Sequence, residues 1–138
     1  MEGYKSIRQK ISSFLSLVAL SIPLYSMSAT LTVKKNGSLS ETIEQAADKD
    51  TVLVYEGTYH EKNLLIKKSI TLKGINSPIL DGENKYEIIS VWASNVTIEG
   101  FKLQHGGKSN MNDLAGIKAY NARYVIVRNN IFDDMFFG

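Results

Sequence analysis

His60, His105, Met111 and Met135 are the only imidazole and thioether side chains beyond residue 29, and no Cys occurs anywhere in the 138 residues. Without thiolates there is no structural disulfide, no thiolate zinc or iron–sulfur site and no cysteine nucleophile. Imidazole and thioether are then the only soft metal ligands available. They stand at no fixed local spacing, and the ordinary role of each is that of a surface His or a packing Met. His105 and Met111 make the most promising pair, because a single loop that includes His105-Gly106-Gly107 could bring both together.

Carboxylates offer a second chemistry, either holding a hard cation or working as an acid–base pair. Asp81, Asp113, Asp133 and Asp134 are the candidates by type. Asp81 precedes Gly82 and suits an Asx-type turn. Adjacent Asp133 and Asp134 would project to opposite faces of a strand, which argues against their acting together. Tyr55, Tyr59, Tyr86, Trp92, Tyr120 and Tyr124 could stack on pyranose faces or pack as a ladder, and Trp92 is the one to test. Asn36-Gly37-Ser38 and Asn95-Val96-Thr97 match the glycosylation acceptor pattern, although both asparagines also serve as turn residues. The Gly-rich stretch 105–108 has no strand-then-helix setting and is not a phosphate cradle.

The formal charge of +2 is too small to imply a nucleic-acid or membrane-surface partner. Lys5, Arg8 and Lys10 precede the apolar run Ile11–Tyr25, and small residues follow at Ser26, Ser28 and Ala29. That order predicts a secretory signal peptide over residues 1–29 and a periplasmic or otherwise exported product. The apolar run is shorter than the roughly 20 residues a membrane helix needs.

The elements that must position these groups begin with a short strand at Leu31–Val33 and a turn at Asn36-Gly37. Ser38-Leu39-Ser40-Glu41 fits a capping box, so a helix should follow, with Leu39, Ile43, Ala46 and Ala47 as its apolar stripe. Residues 30–48 thus form an N-terminal strand and capping helix. From residue 49 to 138 the period changes to two, and short β-branched runs alternate with turn residues.

These runs repeat in three interleaved series. Val52-Leu53-Val54, Ile70-Thr71-Leu72, Val96-Thr97-Ile98 and Val125-Ile126-Val127 follow one another at offsets of 18, 26 and 29. Leu64-Leu65-Ile66, Ile88-Ile89-Ser90 and Gly116-Ile117-Lys118 are offset by 24 and 28, and Ile79-Leu80-Asp81, Phe101-Lys102-Leu103 and Ile131-Phe132-Asp133 by 22 and 30. Gly74, Gly100 and Asn129 end equivalent runs and can take the positive φ of a corner. Three strand series per turn predict an all-β, right-handed parallel β-helix of the pectin-lyase-like solenoid type, with the helix at 39–47 capping its apolar bore. Ile70 and Leu72, Val96 and Ile98, and Val125 and Val127 should point inward, and Thr71, Thr97 and Ile126 outward. Residues 133–138 read as the start of another corner with nothing to close the stack, the expectation being a fragment of a longer protein.

Asp50 to Glu61, Ile66 to Gly74, Ile79-Leu80-Asp81-Gly82 and Val96 to Phe101 resemble the opening coils of NosD-type proteins, the likeness covering essentially residues 31–138. Lys49 stands where that family usually has Gly. The resemblance implies a periplasmic β-helix accessory protein, more an assembly factor than an enzyme. It would bind copper during maturation of nitrous-oxide reductase, with that enzyme and a membrane transporter as partners. The copper ligands it allows here are His105, Met111 and His60. The same phrases occur in carbohydrate-active β-helices, so the alternative is a polysaccharide lyase, hydrolase or epimerase, or a sugar-binding domain. The Asp-Pro-His element of alginate epimerases is absent, since the only prolines are Pro23 and Pro78.

Overall fold

Short β-branched runs broken every few residues by Asn, Gly or Ser cannot form long strands, and the chain answers by turning a corner after each run. The computed structural model describes residues 27–109 and 112–138. Residues 1–26 of the leader expected over residues 1–29, and Met111, lie outside them. Among the described residues no helix is long and apolar enough to cross a membrane.

In chain order the elements are β1 (Thr30–Val33), α1 (Leu39–Gln45), β2 (Thr51–Val54), β3 (Thr58–Tyr59), β4 (Leu64–Ile66), β5 (Thr71–Gly74), β6 (Ile79–Asp81), β7 (Ile89–Val91), β8 (Val96–Glu99), β9 (Lys102–Gln104), β10 (Ile117–Ala119), β11 (Val125–Arg128) and β12 (Ile131–Asp133). They stack into three parallel sheets, β1-β2-β5-β8-β11, β3-β6-β9-β12 and β4-β7-β10. The result is a parallel β-helix of about four turns, as expected from the repeats. Each rung lies about 4.8 Å from the next, so backbone groups are satisfied between coils.

Columns of like residues run through the rungs. Val52, Leu72 and Ile98 lie in register and are fully buried. Val127 continues that column and is exposed. Tyr59, Leu80 and Leu103 form the inward column of the second sheet, and Leu64 and Ile89 that of the third. Outside, Thr30, Thr51, Thr71 and Thr97 make a threonine column that ends at Ile126. Beside it Lys73, Glu99 and Arg128 alternate in charge, with Glu99 accepting from Lys73 Nζ at 3.2 Å and from Arg128 Nε at 2.6 Å.

The registers differ from the run-by-run reading. Thr51 pairs with Thr71, an offset of 20 rather than 18, and Leu64 pairs with Ile89, 25 rather than 24. Ile79 pairs with Lys102 and Lys102 with Ile131, so the offsets are 23 and 29. Ile70, Ile88 and Phe101 sit just before their strands, yet all three are buried. A solenoid corner also points side chains into the bore, which extends an apolar run past the strand and blurs its phase.

Helix α1 caps the bore and packs on β1, β2 and β4. Leu39, Ile43 and Ala46 are buried, whereas Ala47 is exposed beyond the helix end. Burying Leu39 and Ile43 contributes about 1.5–3 kcal/mol each. Ser38 Oγ accepts the Glu41 N–H as the capping box requires, but the carboxylate at this end comes from Glu61, which accepts from the N–H groups of Leu39 and Ser40. Lys68 Nζ closes the other end on the carbonyls of Glu44 and Ala46.

Among the corner residues, Gly100 (φ 83) and Asn129 (φ 56) are left-handed as expected. Gly74 is not; Asn76 and Ser77 take positive φ in that corner instead. Gly74 is required by close approach, because a Cβ there would collide with the Gly100 carbonyl and lie 2.9 Å from Pro78 Cδ. Lys49, at the position where the resemblance expects Gly, adopts φ 75, a left-handed conformation that glycine takes more readily.

Candidate functional site

The outer face of the β3-β6-β9-β12 sheet gathers the polar groups. Asp81 ends β6 in register with Gln104, which ends β9 in register with Asp133 of β12. Asp81 is buried even though it points outward, because the turn after it folds back: Glu83 N–H donates to Asp81 Oδ1 at 2.9 Å, the Asx turn expected from Asp81-Gly82. Gln104 Nε2 donates to Asp81 Oδ2 at 3.0 Å. His105 follows with φ 51, a left-handed conformation that His tolerates better than most residues, and its Nδ1 lies 3.1 and 3.0 Å from the two Asp81 oxygens.

Burial alone would raise the Asp81 carboxyl above its ordinary range. The hydrogen bonds from Gln104, the Glu83 backbone and His105 outweigh it and hold Asp81 low. The carboxylate therefore remains charged and fixes the imidazole by Nδ1, leaving Nε2 for an outside partner. His105 is 42% exposed at its side chain. A carboxylate behind a histidine in this manner is the usual support of a metal-binding imidazole.

Met135 packs against Gly106, the residue after His105 in the chain. A Cβ on Gly106 would sit 2.5 Å from Met135 Sδ, and one on Gly116 3.4 Å from it. The thioether therefore occupies room left by Gly106, half-buried against the core. Asp133 bonds Lys102 Nζ at 2.8 Å, and that bond, followed by the charge of Lys102, keeps its carboxyl low. Asp134 bonds Lys108 Nζ at 2.9 Å.

The other candidates fall elsewhere. His60 stands in the Asp81–Gln104 column but at its far end, about 10 Å or two rungs from the His105 level, with Nδ1 3.8 Å from Glu83 Oε1. It lines an open cleft of about 570 Å³ with Ser38, Tyr59, Glu61 and Lys62. Asp113 is exposed, and its carbonyl accepts from Lys118 Nζ. Among the described residues no three His, Cys, Asp or Glu side chains converge to hold a metal ion. Among the described residues the soft donors that stand nearest one another in the chain fold are therefore the His105 imidazole and, against the next residue Gly106, the Met135 thioether.

Tyr59 is core and its hydroxyl donates to the Tyr55 carbonyl; Tyr86 is half-buried and Tyr124 is exposed. Trp92 and Tyr120, at the same corner of adjacent rungs, stack with ring centroids 4.3 Å apart and planes 3° from parallel.

The Asp81–His105 pairing and the Met135–Gly106 contact escaped the sequence. An offset of 22 sets Asp81 opposite inward-facing Leu103, while the true 23 sets it opposite Gln104 and next to His105. Comparison of the chain with family models, curated proteins and solved structures gives no match.

Proposed function

We propose that the chain is a NosD-like accessory β-helix that is exported and holds copper(I) as cargo for copper-centre assembly of nitrous-oxide reductase, together with a membrane transporter. The observation that carries this reading is His105, anchored through Nδ1 on the buried Asp81 carboxylate, with the Met135 thioether packed against the following Gly106. Imidazole and thioether together suit copper(I) better than hard divalent ions. His105 would ligate through Nε2 and Met135 through Sδ, while Asp81 and Gln104 orient without ligating. His60 is too far along the solenoid to join this set. The basic head and apolar run of residues 5–25 support export.

An enzymatic reading with paired carboxylates draws less support. Asp81 and Asp133 stand two rungs apart, the first engaged by Gln104 and His105 and the second by Lys102.

Titration of the chain with copper(I) against a competing chelator tests the proposal. His105→Ala and Met135→Leu should each weaken binding, and Asp81→Asn should do so by roughly 10- to 100-fold through loss of orientation. Affinity unchanged in His105→Ala would overturn the assignment.

A further inference from the structure

The β4-β7-β10 face carries a second arrangement. Trp92 and Tyr120 are not a loose surface pair. The Tyr120 hydroxyl donates to the Glu87 carboxylate, 3.1 Å to the nearer oxygen, and Glu87 is itself buried and bonded to the Ser90 hydroxyl. Ser90 in turn meets the Asn63 carboxamide at 2.8 Å. Tyr120 is thus fixed at its far end, and the parallel stack fixes the indole plane of Trp92 in turn.

Trp92 is nevertheless 53% exposed. In the column it continues, the residue after Val91 faces the residue after Ile66, which is Lys67 and not another aromatic. The ladder therefore stops at Trp92, with exposed Lys67 at the next position of the column. Among the described residues the indole N–H has no acceptor. Leu65, 43% exposed, lies on the same face, and a groove of about 190 Å³ lined by Lys67, Leu65, Asn63 and Ile43 adjoins it.

Lysines outnumber exposed carboxylates on this face, with Lys67, Lys68 and Lys118 set against Glu44 on the groove wall. Lys118 Nζ lies 5.3 Å from the Tyr120 ring centroid and donates only to the Asp113 carbonyl, and neither Lys67 nor Lys118 has a carboxylate partner among the described residues. The one carboxylate nearby that is buried, Glu87, is consumed by Tyr120 and Ser90.

We propose that this face binds an acidic saccharide. The C–H face of a pyranose is apolar with weakly positive hydrogens and suits the negative face of a pre-oriented indole. The indole N–H and the Asn63 side chain offer bonds to hydroxyls; Lys67, on the open side of the indole, takes the carboxylate or sulfate of the stacked sugar, and Lys118, two rungs away, that of a further residue of the oligosaccharide. A fixed platform loses little rotamer freedom on binding, which favours affinity at a small contact area.

Trp92 is the only tryptophan of the chain, so its emission reports the site directly. The chain is titrated with de-esterified oligogalacturonate, with a sulfated dextran oligosaccharide and with a neutral cello-oligosaccharide. The expected result is a saturable change in emission with one or both acidic probes, about tenfold weaker for the neutral one and weakened by added salt; the stronger of the two acidic responses identifies the anionic group. By calorimetry, Trp92→Ala should abolish binding, Trp92→Phe retain part of it, and the double change Lys67→Gln, Lys118→Gln reduce it about tenfold while leaving the fold intact. His105→Ala should bind saccharide as the parent does, which separates this site from copper. Unchanged emission with both acidic probes, or acidic-probe affinity unaltered by the double lysine change, would overturn the proposal.

Discussion

Glu61 accepts the backbone N–H of Ser40 at 2.7 Å, so a carboxylate from the first coil, 21 residues along the chain, closes the start of the capping helix. Its other oxygen takes the Leu39 N–H. Two otherwise unpaired donors and the helix dipole are answered by a single side chain. Glu61→Ala should lower stability by about 0.5–2 kcal/mol, and Glu61→Gln by less, measured by urea unfolding. No change in the midpoint for Glu61→Ala would show that the cap carries no stability.

Lys49 holds φ 75 at the junction between helix and first rung, where its N–H donates to the Ser69 carbonyl at 2.6 Å. A side chain with a Cβ is strained in that conformation, whereas glycine is not. Lys49→Gly should raise stability by about 0.5–1 kcal/mol even though glycine loosens the unfolded chain. A lower melting temperature in this variant would contradict the strain argument.

Four carboxylates are held below their ordinary range. Glu99 is held by the hydrogen bonds from Arg128 and then Lys73, Asp133 by Lys102, Asp50 by the backbone N–H groups of Ala47 and then Ala29, and Asp81 by its hydrogen bonds against the effect of burial. With folded pKa values below unfolded ones, their stabilisation is fully present above about pH 4 and is lost as pH falls through the folded values. Melting temperature followed by circular dichroism should stay level down to about pH 5 and then fall, and Glu99→Gln should make the fall shallower. A melting temperature that rises on acidification would reverse the sign. At the alkaline end Tyr59, raised by burial and then by Glu61, adds stability that declines above about pH 10.

The coil was legible in the sequence because Val52-Leu53-Val54, Val96-Thr97-Ile98 and Val125-Ile126-Val127 repeat with corner residues between them, and two β-branched side chains pointing one way across a Thr or Leu specify a strand with a buried face. Register was harder. Ile88 and Phe101 look like first strand residues but are corner residues turned into the bore, and a slip of one residue exchanges the two faces of a strand. The candidate site suffered most from that slip. His105 was visible by type, but its carboxylate partner lies 24 residues back, and the thioether packed on its neighbour Gly106 comes from Met135, so only the correct stacking joins them. The Trp92–Tyr120 pairing, by contrast, follows from the offset of 28 between the runs at Ile88 and Gly116, although the stacking of the two rings does not.

A stack of look-alike coils invites the wrong floors to meet, because every apolar layer would accept any other. The signed column on the outside forbids several such errors. Lys73 and Arg128 each need Glu99 between them, so omitting that storey would set two cations face to face, and inserting the layers in another order would leave Glu99 against Leu53 or the threonines without a cation. The interior supplies cohesion without discrimination, and this short sequence of plus, minus, plus works as an address that tells each layer where it belongs.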